Sequence, residues 1–112
     1  MYKNLILYRN ELKNKNVPKY KVIGIVSELL LSKQVFPRNI DIKVFLKDIF
    51  ELELKEYLFR SRTLLIARVT REIIAIEKEN LYKNMLYKFI EQKIEDLKDD
   101  NKKEKNEFDG WL

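Results

Sequence analysis

Within RSRTLLIARVTR, residues 60 to 71, four arginines (Arg60, Arg62, Arg68 and Arg71) stand with no acid among them. If this stretch is helical, Leu65, Ile66, Val69, Ile73 and Ile76 share one face. Arg68 and Arg71 then leave the opposite face together with Leu64 and Ala75. Two guanidinium forks one turn apart are suited to straddling phosphates, because each is planar, permanently charged and able to bond an oxyanion through two donors. Arg60 and Arg62 fall where this helix begins, and the dipole and free N–H groups of a helix start also favour anions. Lys43 and Lys47, four residues apart, add positive charge upstream. The cluster has a second possible chemistry: Asp48, Glu51, Glu53 and Glu56 are four acids that could pair with the four arginines inside one fold.

Other chemistries find little material. The chain has no histidine and no cysteine, so it lacks imidazole and thiolate, the usual zinc ligands and the usual partners of activated serine or cysteine nucleophiles. Acid pairs such as Glu51/Glu53 and Asp99/Asp100 are too close in sequence to converge from one helix. No glycine-rich phosphate loop occurs. A non-enzymatic protein with no cofactor and no metal is expected. Without cysteine no disulfide can form, and the apolar run Leu5 to Tyr8 is too short for a signal-peptide core or a membrane span. A cytoplasmic location without membrane attachment follows as the expectation.

The net charge of +5 is weaker evidence for a nucleic-acid partner than the arginine cluster. Lys, Asn and Ile fill 38 of 112 positions, and their codons are largely A and T. An AT-rich bacterial or phage genome enriches lysine without any function behind it. The charge is also uneven. Residues 1 to 47 carry ten basic and three acidic groups, residues 48 to 76 five of each, and residues 77 to 112 eight basic and ten acidic.

The elements that must position these groups are helical. Two glycines and two prolines in 112 residues are too few for the turns of a sandwich or barrel, and a 37% charged, 46% hydrophobic chain suits amphipathic helices. The expected fold is all-α, a compact bundle of four or five helices over residues 1 to 98. A polar linker and aromatic tail follow over 99 to 112. The first helix, about Lys3 to Lys13, reads as short and peripheral. A second runs from Pro18, favoured in a first turn, to about Ser32, with Gly24 permitting close packing. Asn39 is a good N-cap for a third, whose apolar residues Ile42, Phe45, Leu46, Ile49 and Phe50 follow helical spacing. A short helical segment is expected near Leu54 to Phe59. Ser61 would cap a helix from Arg62 that runs through the centre of the bundle. Uninterrupted to about Lys103 it would measure roughly 60 Å and overhang a domain of this size. It must break near Glu79-Asn80, or its distal half must pair with another chain.

Asn39 to Ile73 resembles a SAP-type helix-extended-helix DNA-binding module. The helix IDIKVFLKDIF is followed by a connector and then by Ser61-Arg62 and Leu65-Ile66-Ala67-Arg68, a small residue, a basic residue and Leu-x-x-Arg. The resemblance implies that the second helix start and its basic residues meet DNA. The connector here is longer than usual and lacks the customary glycine.

Two further features concern partners. Tyr82, Met85, Leu86, Phe89, Ile90, Ile94 and Leu97 form a stripe that either closes the bundle internally or makes a homodimer seam over residues 82 to 97. Phe108, Trp111 and Leu112, on a polar tether, either dock onto a protein partner or fold back. The leading expectation is a small nucleic-acid-binding or regulatory protein that contacts backbone phosphates through the four arginines, helped by Lys43 and Lys47. The alternative is a protein-interaction module, a small accessory or inhibitor protein, acting through its distal helix or its tail.

Overall fold

In the computed structural model the backbone is described for residues 1–77 and 79–109, and the side chains for residues 1–77 and 82–98. The described residues form α1 (Tyr2–Leu12), α2 (Lys19–Leu31), α3 (Asn39–Phe50), a 3-10 turn here called η1 (Glu56–Arg60), α4 (Arg62–Ala75) and α5 (Glu79–Asp109). They include no strand. The fold is all-α, as expected from the scarcity of turn residues, and the short helical segment predicted near 54 to 59 is the 3-10 turn.

The pairing of helices is nested. The start of α4 meets the end of α2 and the end of α4 meets the start of α2, so these two run antiparallel. Likewise α1 packs antiparallel along α5, with Lys83 near the start of α5 bonding the carbonyls of Asn14 and Lys15 just past α1. Between the two pairs α3 packs on α5, and η1 packs on both α3 and α4. The break that relieves the long helix follows Ala75, where α4 ends, a few residues before the expected point, and Ile76 is extended at φ −72° and ψ 122°. No single helix therefore runs through the centre from Ser61 onward.

Each helix buries the face that its spacing dictates. From α3 these are Ile42, Phe45, Leu46, Ile49 and Phe50; from α4, Leu65, Val69 and Ile73; from α5, Tyr82, Leu86, Ile90 and Ile94. Burying each such side chain contributes about 1.5–3 kcal/mol relative to exposure. The α5 stripe is thus mostly spent inside the bundle, against α1 and α3, and Met85 is the member left 44% exposed. The first helix is not peripheral. Leu5 is fully buried and Tyr8 and Leu12 nearly so, because α1 supplies the surface that α5 needs.

Two local expectations are corrected. Asn39 is the first residue of α3, with Arg38 at the cap; there the Asp41 carboxylate accepts from the Arg38 backbone N–H at 3.2 Å, and the Asn39 amide points elsewhere. Gly24 permits no close packing, since it is exposed and a Cβ built on it meets nothing within 4 Å. Ser61 does cap α4, accepting from Leu64 N–H at 3.4 Å.

Gly24 lies mid-helix in open space with ordinary helical geometry, so it contributes only backbone entropy to the unfolded state. Gly24→Ala is expected to stabilise the fold by about 0.5–1 kcal/mol, measured as a higher midpoint in denaturant at unchanged slope.

Candidate nucleic-acid interface

The four arginines of residues 60 to 71 divide into distinct roles. Arg62 faces inward. Its Nε donates to Asn39 Oδ1 at 3.0 Å, its Nη1 to the carbonyls of Leu30 at 3.0 Å and Ser32 at 3.4 Å, and its Nη2 to the carbonyl of Phe36. Four of the five donors of the guanidinium are then engaged. Asn39, held by Arg62, donates in turn through Nδ2 to the Phe59 carbonyl. The positive charge meets no carboxylate among the described residues. It sits at the C-terminal end of α2, where exposed carbonyls carry the negative end of the helix dipole. Arg62 is a clamp across α2, the 32–38 loop, α3 and η1, and this leaves it little capacity for an external phosphate.

A signal for this role existed in the chain. A cation directly after an N-cap stands against the dipole of its own helix, so it needs compensation from another element. Reading it as part of an anion site missed that compensation. Asn39 was likewise identified as a cap when its side chain is a bridge.

Arg68 and Arg71 lie on the outer face of α4, three residues and about 4.5 Å of helical rise apart. Leu64 and Ala75 share that face. Arg68 Nε lies 3.2 Å from Glu72 Oε1 one turn on, with half of the arginine side chain exposed. Arg71 and Arg60 are exposed, and neither has a carboxylate within 4.0 Å among the described residues. Arg60 ends η1, which packs on both α3 and α4.

The upstream acids do not hold the arginines. Glu56 pairs with Lys43 at 3.9 Å and Glu53 with Lys47 at 3.5 Å, and at least half of each of these side chains is exposed. Bridges this wet contribute about 0–1 kcal/mol and exchange readily for other partners. Among the described residues Asp48 and Glu51 pair with no cation. The lysines therefore remain accessible on α3, while their carboxylates lower the local positive field.

Two more cations are structural. Lys19 donates to the Ile74 carbonyl at 3.0 Å, near the end of α4, and Lys83 bonds the carbonyls just after α1. Nothing in the spacing of either lysine marks it for this work. The described residues contain no group of three or more carboxylates that could hold a metal ion, and no helix among them is long and apolar enough to cross a membrane. Of the proposed tail contacts, the Phe108 side chain, Trp111 and Leu112 lie outside the described residues. The chain matches no known family model, no curated protein and no solved structure.

Removing the clamp leaves partly buried carbonyls and Asn39 Oδ1 unpaired. Arg62→Ala is expected to cost about 3 kcal/mol, read from denaturant unfolding. Arg62→Lys is expected to recover little of it, since one ammonium cannot span four acceptors on separate segments.

Proposed function

We propose that this chain is a small non-enzymatic nucleic-acid-binding protein that contacts backbone phosphates through Arg68 and Arg71 on α4 and Arg60 on η1. Lys43 and Lys47, exposed on α3, are the further cations of this reading. The observation that carries the reading is the placement of Arg68 and Arg71. They stand together on the exposed face of α4; of the four upstream acids Glu53 and Glu56 lie against lysines of α3, Asp48 and Glu51 pair with no cation among the described residues, and only Glu72 meets Arg68. Arg62 supports the site indirectly by setting the start of α4 against α2 and α3.

The mechanism is electrostatic. Each guanidinium releases counterions when it meets a phosphate, so affinity falls with salt in proportion to the number of contacts. No base-reading element is needed for such binding, and sequence preference should be small. A regulatory role would follow from occupancy of the nucleic acid.

Fluorescence anisotropy with short double-stranded DNA and RNA tests this. A log–log slope of affinity against salt of about −3 to −4 is expected, matching three or four phosphates. The Arg68→Glu/Arg71→Glu variant, whose fold is checked by circular dichroism, should bind at least ~10-fold more weakly. Failure of either nucleic acid to bind at about 50 mM salt, or equal binding by the charge-reversed variant, rejects the reading.

A further inference from the structure

Between α3 and α5 lies a groove of about 580 Å³ that no part of the described chain covers. Its floor is aromatic. Phe36 stacks on Phe89 at 5.7 Å between ring centroids, and Phe45 lies 5.0 Å from Phe36 and 4.6 Å from Phe89. Its lips are apolar and open: Val44 on α3 is 58% exposed and Met85 on α5 is 44% exposed. Isolated exposed apolar residues are ordinary, but two facing each other across an aromatic groove form a continuous surface that favours removal from water.

Charge on the two rims indicates what fits there. The α3 rim carries Asp48 and the α5 rim carries Lys88; both are exposed, and neither has an ion-pair partner within 4.0 Å among the described residues. The neighbouring rim charges are already engaged, Asp41 with Arg38 at 3.3 Å and Lys93 with Asp96 at 4.0 Å. One free acid and one free base therefore stand on opposite sides of one apolar surface. A nucleic acid would meet Asp48 unfavourably, and a uniformly acidic or basic peptide would satisfy one rim only. A surface bearing both signs on opposite sides is complementary to itself about a two-fold axis, the commonest symmetry of homo-oligomers.

We infer that a second copy of this chain docks on this groove, α3 and α5 of one protomer against α3 and α5 of the other. Val44 and Met85 of each copy enter the facing groove, and Asp48 of each meets the partner's Lys88. The contact uses the open edge of the α5 stripe, Met85 and Phe89, while Tyr82, Leu86, Ile90 and Ile94 are buried within each protomer. It is separate from the arginine face of α4, which a two-fold dimer would present twice, as symmetric DNA-binding proteins do.

Sedimentation equilibrium of the full chain without nucleic acid tests the inference independently of the phosphate reading. The mass should rise from 13.6 kDa in dilute solution towards about 27 kDa at high protein concentration, on the order of 100 µM. Val44→Glu and Asp48→Lys, both at exposed positions, should hold the protein at the monomer mass with unchanged circular dichroism. The swap Asp48→Lys/Lys88→Asp should restore association by exchanging the two charges. A wild-type monomer at that concentration overturns the inference. So does a dimer indifferent to Val44→Glu, or a folded double swap that stays monomeric. Arg68→Glu/Arg71→Glu should leave the mass unchanged, so a failure of nucleic-acid binding and a failure of dimerisation remain distinguishable.

Discussion

The carbonyl oxygens of Leu30, Ser32 and Phe36 converge where α2 ends and its following loop turns back, and the Arg62 guanidinium is what they converge on. Helix ends leave carbonyls without intrahelical partners, and burying them unpaired is costly. Here one side chain from a helix 30 residues downstream supplies the donors. Through Asn39 the same group reaches the Phe59 carbonyl and so ties α3 and η1 to the start of α4. The antiparallel fit of α2 on α4, and with it the direction in which Arg68 and Arg71 point, depends on this clamp.

The same physical device recurs on a smaller scale. Lys19 meets a carbonyl near the end of α4, and Lys83 meets those beyond α1. In each case a cation from a distant segment satisfies oxygens at or beyond a helix C-terminus, where the dipole favours positive charge. Part of the chain's basic character is thus architectural. Net charge overstates the number of cations available to an external anion, and exposure with partner geometry gives the better account.

The nested pairing also shapes the surfaces that remain. Among the described residues α1 and α3 cover most of the apolar stripe of α5, which leaves little of it for a long coiled-coil seam. Open among the described residues is the α3–α5 groove, one edge of that stripe, where Phe36, Phe45 and Phe89 form a floor. The arginine face of α4 and this apolar groove belong to different helix pairs. One surface can therefore meet phosphates while the other meets protein.

Much of the fold could be read along the chain. The apolar spacing of Ile42 to Phe50 and of Leu65 to Ile73 determined the buried faces of α3 and α4, since a helix of 3.6 residues per turn admits one such face. Ser61 determined where α4 begins, because its hydroxyl satisfies a free N–H locally. These are interactions between residues a few positions apart, and local spacing encodes them. Tertiary structure alone decided the rest. Arg62 and Arg68 are the same residue type in the same helix, yet one is enclosed by carbonyls 26 to 32 residues away and the other faces solvent. Glu53 and Glu56 meet Lys47 and Lys43 of α3, although η1, which Glu56 begins, packs on α4 as well. Which charge meets which depends on how helices pack, and contacts across such distances leave no periodic trace in the sequence.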